Sequence, residues 1–163
     1  MPTDSAHIDA FEDNKALRSM LMFFLKGDTN AIQFCMDVMY VCHIWDDLID
    51  KDNELSDKQI HEAFTILMLH IPENPFYQAF GVKLRPLLHN MIIQWKDANT
   101  LERGDEHDRH MAYMLRASPL QVINYCAVLV GGADWYDEVG PDMRRMYQED
   151  FDKFMKEMPS CQA

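Results

Sequence analysis

The 163-residue chain is poor in positive charge: 15 Lys and Arg stand against 27 Asp and Glu, a formal net charge of −12. Its longest basic run is Arg144-Arg145, so it lacks the clustered cations that neutralise a phosphate backbone, which excludes nucleic-acid binding by direct basic contact. A free phosphate ester is repelled as well, whereas one bridged by a metal ion is not. No apolar run approaches the ~18 residues of a membrane span, and the opening Met-Pro-Thr-Asp-Ser-Ala-His has neither the basic nor the apolar region of a signal peptide. The expectation is a cytoplasmic protein with no membrane span. Cysteines at 35, 42, 126 and 161 form no CxxC pair; three lie inside apolar helical patterns, as reduced core thiols do. There is no GxSxG elbow, no pair of Glu-x-x-His motifs for a di-iron bundle, and no calcium loop, since "DDLIDKDNELSD" lacks the central glycine.

Strand patterning is missing too, and apolar residues recur at helical spacing almost throughout. This predicts one all-α domain over residues 1–163, a bundle of about six to seven helices. Helix one is expected from about Ser5 to Lys26, stopping at Gly27. Helix two follows an Asp28 or Thr29 cap and ends near Asp50 to Asn53. Ser56-x-x-Gln59 is a capping box for helix three, which Pro72 ends. Asn74-Pro75 caps a fourth segment, where Pro86 either kinks one long helix or starts a new one reaching about Glu102. Glu102 to Asp108 reads as a loop. The next helix runs from His110 to Val130, bent at Ser118-Pro119 and stopped by Gly131-Gly132, and Gly140-Pro141 sets the start of a last helix through about Met158. Thirteen methionines and nine phenylalanines point to a soft core or an apolar cavity.

One stretch raises a physical question. "HIWDDLIDKD" puts four aspartates into seven positions directly after the apolar run Ala31 to Cys42. On a continued helix Asp46 and Asp50 share a face, with Asp47 about 100° away. Like charges so placed repel, and more strongly when desolvated, unless something positive sits between them. A hard divalent cation is the usual answer, since Mg²⁺ takes oxygen ligands and often uses one or two carboxylates plus substrate phosphates. His43 and Trp45 flank this end, either lining a site or packing on neighbouring helices. Asp37, inside the apolar run, needs a hydrogen bond, a Lys or Arg on another helix, or solvent.

Asp46-Asp47-Leu48-Ile49-Asp50 resembles the DDxxD motif of the terpenoid synthase and trans-isoprenyl diphosphate synthase superfamily. A second stretch, Trp95-Lys96-Asp97-Ala98 followed by Tyr113-Met114-Leu115-Arg116-Ala117-Ser118-Pro119, resembles the region in which that family's arginine senses the substrate diphosphate before a helix break. The resemblance implies a shortened terpenoid-synthase fold. It implies Mg²⁺ (or Mn²⁺) on Asp46, Asp47 and Asp50, with Asp46, Asp47 and Arg116 as catalytic residues. A diphosphate-containing, prenyl-type small molecule would then meet Arg116, His43, Met39 and Tyr40, with Phe34 and Met36 as further apolar wall. It covers roughly residues 31 to 133. The family's second metal motif is not found: Asp134, Glu138 and Asp142 keep a four-residue spacing, but Gly140-Pro141 interrupts it and the expected Ser or Thr is absent.

Other readings use the same residues. An all-α Mg-dependent nucleoside triphosphate pyrophosphohydrolase would pair Asp46-Asp47-x-x-Asp50 with Asp134-x-x-Asp137-Glu138; such enzymes are small and oligomeric, which leaves room for a homodimer. An HD-type phosphohydrolase would use His107-Asp108 with one of His43, His61, His70 or His89. A non-catalytic acidic interaction protein would need only the negative surface. On spacing alone Arg116 reads equally as one arm of a helix-surface salt bridge.

Overall fold

The computed structural model describes residues 14–51, 53–146 and 150–157. Those residues form an all-α bundle with no strand among them. The first helix, α1 (Asn14–Phe24), ends as Lys26 and Gly27 take left-handed φ of 51° and 75°. That turn lets the Gly27 N–H reach back to the Met22 carbonyl at 2.9 Å. The start expected at Ser5 lies outside the described residues.

Central to the fold is α2 (Thr29–Asp50), capped by Asp28, whose carboxylate accepts from the Asn30 and Ala31 N–H groups. Losing such a cap costs about 1 kcal/mol. Ala31, Ile32, Phe34, Cys35, Val38, Met39 and Cys42 are all buried, on nearly every side of the helix, and α2 packs against α1 and most of the later helices. It ends where Lys51 turns left-handed (φ 60°) and its N–H closes on the Asp47 carbonyl at 3.0 Å.

The Ser56–Gln59 capping box forms and opens α3 (Asp57–Thr65). The segment runs on to Pro72, as expected, and ends one residue later. A π-helical turn (Ile66–His70) follows, with the Ile71 N–H donating to the Ile66 carbonyl, and α4 (Ile71–Glu73) carries Pro72 in its first turn, where a missing N–H costs little. Asn74 then caps α5 (Pro75–Leu101) through the Phe76 and Tyr77 N–H groups, and its amide donates to the Asn30 carbonyl at 3.0 Å, tying the starts of α5 and α2 together.

Of the two outcomes expected at Pro86, one long helix is found. The carbonyl of Gly81 accepts from Arg85 Nε at 3.3 Å beside it. The polar loop is shorter than expected: Asp105 caps α6 (Glu106–Arg116), so Glu106 to Arg109 are helical. The break expected at Ser118-Pro119 sits at Ala117 (φ −75°, ψ 5°), after which α7 (Ser118–Arg144) begins with Pro119 in its first turn.

Of the two expectations for α7, one holds and one is corrected. Gly132 (φ 83°, ψ 178°) leaves helical geometry and divides α7 into two helices, as expected at Gly131-Gly132, whereas Gly140-Pro141 lies inside the second of them and not at the start of a new one. Burial explains why the second helix runs through Pro141: Val139, Gly140 and Met143 enter the core, while Trp135 Nε1 donates to the Phe24 carbonyl at 2.9 Å. Packing at that level outweighs a proline's interior cost of about 3 kcal/mol. The last described helix is α8 (Phe151–Glu157), not one starting at Gly140, and Met158 lies outside the described residues.

The main core gathers α1, α2, the π-turn, α5 and α7 around Leu21, Phe34, Cys35, Leu84 and Ile123. A smaller cluster of Ala98, Ala112 and Phe154 joins α5, α6 and α8. Cys35, Cys42 and Cys126 are buried free thiols, as expected; Cys161 lies outside the described residues. No described helix is long and apolar enough to cross a membrane.

Candidate site at the aspartate end of the central helix

The last turn of α2 meets α5 and the end of α6, and the positive group that the aspartates require is there. Arg116, 70 residues from Asp46 in sequence, places Nη1 3.1 Å from Asp46 Oδ1 and Nη2 3.6 Å from Asp50 Oδ2. Its Nε donates to Glu102 Oε1 at 2.6 Å, and Nη2 pairs with the same oxygen. The guanidinium carbon lies 5.2 Å from the centre of the Trp95 ring, in cation–π range. Trp95 Nε1 in turn donates to Asp46 Oδ1 at 3.2 Å. The two sequence stretches that carry the family resemblance therefore meet at one place.

Burial differs around this group. Arg116 and Glu102 side chains are 10% and 12% exposed, those of Asp46 and Asp50 38% and 34%. Desolvation pushes the Asp46 carboxyl up from the usual 3.8 to about 6; Arg116 and the Trp95 hydrogen bond pull it down, while Asp50 and Asp47 push it further up. The part of Asp46 left in water moderates that penalty. Beneath it the floor is apolar: Cys42 Sγ lies 3.7 Å from Met91 Sδ, and burial together with the Asp46 charge lifts the Cys42 thiol to about 12.

Asp47 belongs to a different set of contacts. Its buried carboxylate accepts from Asn53 Nδ2 at 2.8 Å and lies 3.4 Å from His43 Nε2. His43 is part-exposed at the rim, and Trp45 packs against Trp95 with ring centres 5.5 Å apart. Met39 is buried in the main core. Tyr40 donates to Glu62 Oε2 of α3 at 3.2 Å. Phe34 stacks on Tyr77 within the core.

Among the described residues Asp37 meets neither a lysine nor an arginine: Gln33, one turn earlier on α2, donates to it at 2.9 Å. Burial raises its carboxyl, against the pull of that hydrogen bond and of His70. Asp134, Glu138 and Asp142 lie on the α7 stretch after the kink, all exposed, with Asp142 paired to Arg145. His107, exposed, and Asp108, half-buried, fall in the first turn of α6, where the Asp108 N–H donates to Asp105. Ser118, just past the break, is buried with its hydroxyl unpartnered among the described residues.

The contribution of Glu102 was not visible in the sequence, where it opens a polar stretch read as loop. Only the α5–α6 hairpin returns Arg116 to it.

Among the described residues, no three His, Cys, Asp or Glu side chains are grouped to hold a metal ion. Two carboxylates do converge: Asp46 and Asp50 address one cationic group from the same face of α2. A pair of hard oxygen donors fits Mg²⁺, which commonly keeps several waters and takes its other ligands from substrate phosphates. Comparisons with known protein families, curated proteins and solved structures find no match.

Proposed function

We propose that this chain binds a diphosphate-containing, prenyl-type small molecule together with Mg²⁺ or Mn²⁺ at the Asp46–Asp50–Arg116 end of α2, as a shortened relative of the terpenoid synthases would. The observation that carries the reading is the meeting of Asp46, Asp50, Trp95 and Arg116, drawn from two stretches far apart in sequence. Asp46 and Asp50 would hold the cation. When bound, that ion withdraws charge from the diphosphate as a Lewis acid. Arg116 offers two parallel N–H donors, the geometry that grips a phosphate in fork fashion. The apolar floor of Cys42, Met91 and Trp95 excludes water from beneath the carboxylates and strengthens each polar contact made above it. Asp47, held by Asn53, lies 3.4 Å from His43 at the rim, and His43 would offer the ligand a hydrogen bond.

One observation favours a second reading, the non-catalytic acidic interaction protein: Arg116 is already compensated by three carboxylates in a chain of net charge −12. Parallel assays of diphosphate release from prenyl diphosphates and from nucleoside triphosphates with Mg²⁺, beside Arg116→Ala, separate these readings. Turnover of prenyl diphosphates, lost in the variant, supports the proposal. Turnover of nucleotides alone transfers it to the pyrophosphohydrolases, and a folded chain that turns over and binds neither is an interaction protein.

A further inference from the structure

Arg116 has two kinds of partner, and they are not equivalent. We infer that Glu102 is the positioning residue that keeps Arg116 at the site whatever occupies Asp46 and Asp50. The ligand in this inference rests on the function proposed above; the geometry does not. Glu102 takes Nε, the inner N–H of the guanidinium, and shares Nη2, and both side chains of this pair are nearly buried. Charge-assisted bonds shielded from water are the strong ones, because little solvent competes for either partner. Asp46 and Asp50 take only the outer nitrogens, at 3.1 and 3.6 Å, and about a third of each side chain is open to water. Those contacts are exchangeable.

The charges divide in the same way. Glu102 and Arg116 cancel each other, which leaves Asp46 and Asp50 with two negative charges, the complement of one divalent cation. A cation arriving there would repel the guanidinium. Without an anchor of its own Arg116 would swing out to solvent just when a diphosphate needs it. Glu102 on the inner nitrogen and the Trp95 ring against the guanidinium face prevent this, leaving the outer nitrogens free to pass from the aspartates to phosphate oxygens. Glu102 thus acts through Arg116 and touches no ligand itself.

The test follows the Arg116 Nε–H and Trp95 Nε1–H resonances by NMR in the full chain. In Asp46→Asn with Asp50→Asn, Arg116 Nε–H should exchange with solvent as slowly as in the parent. In Glu102→Gln it should exchange at least tenfold faster, with Glu102→Asp intermediate, a graded rescue that loss of packing alone does not give. Adding Mg²⁺ and pyrophosphate to the parent should move Trp95 Nε1–H and leave Arg116 Nε–H protected, and Glu102→Gln should weaken pyrophosphate binding about tenfold at saturating Mg²⁺. The opposite pattern, protection lost in the aspartate variant and kept in Glu102→Gln, overturns the inference. If Glu102→Gln does not fold, Glu102→Asp decides alone: faster exchange supports the anchor and unchanged exchange refutes it. Should Mg²⁺ and pyrophosphate move neither resonance, the proposed function fails, while the two metal-free variants still decide whether Glu102 is the anchor.

Discussion

Two acidic series in this chain share a four-residue spacing and have opposite surroundings. Asp46 and Asp50 end α2 against a nearly buried arginine, a tryptophan and an apolar floor. Asp134, Glu138 and Asp142 follow the same interval along α7 and remain exposed, with Asp142 paired to Arg145 three residues on. Spacing puts carboxylates on one face in both cases. What separates them is a partner from elsewhere in the chain: the α5–α6 hairpin delivers Arg116 to the first series. An acidic ladder is thus a solvated face until the fold supplies something that makes its charge costly.

The largest expected effect breaks the first member of this comparison. Arg116→Ala leaves Glu102, Asp46 and Asp50 facing one another, and removing one partner of a nearly buried ion pair costs about 3 kcal/mol or more, to be read as a lower midpoint in urea denaturation. A loss below about 0.5 kcal/mol, the range of an ordinary surface substitution, would make the two series equivalent. Glu102→Gln should cost less, about 1–2 kcal/mol, because the amide oxygen still accepts from Arg116 while the charge is lost. The same denaturation series checks it, and a neutral result would remove Glu102 from the network.

Acid titration sharpens the contrast without changing a residue. The folded chain holds the Asp46 proton more tightly than the unfolded chain, about 6 against 3.8. Between those values the folded state binds more protons, so this group's contribution to stability falls as pH rises from about 4 to about 6 and is constant above. Asp46→Asn should abolish that part of the slope. An unchanged pH profile in the variant would show that Asp46 does not titrate in this window. At the small end, Asp134→Asn, Glu138→Gln and Asp142→Asn should each shift stability by less than about 0.5 kcal/mol, and a shift above 1 kcal/mol in any of them would reveal a partner on α7 that its exposed position does not suggest.

How far the sequence carried this picture depended on range. The Asp28 cap, the Ser56–Gln59 box, the Asn74-Pro75 start and the break after Arg116 were legible because each is settled by groups within a few residues. The Gly131-Gly132 break and the end at Pro72 were legible in the same way, but Gly140-Pro141 misled where burial overruled it: Pro141 sits in a helix whose next buried residue is Met143. At the site, Asp46, Asp50 and Arg116 were nominated by their motifs, but neither the turning of Asp47 toward Asn53 and His43 nor the return of Glu102 to Arg116 has a local signature. Both depend on how the ends of helices meet.

Titration calorimetry with Mg²⁺ and pyrophosphate addresses the central claim most directly, comparing the parent chain with Asp46→Asn plus Asp50→Asn. The account predicts weak heat with Mg²⁺ alone, because Mg²⁺ gives up its waters reluctantly and takes only two protein ligands here, clear saturable binding when pyrophosphate is present, and loss of that binding in the variant. Equal and negligible heats from the folded parent and the folded variant would contradict it and leave the aspartates as the structural partners of Arg116.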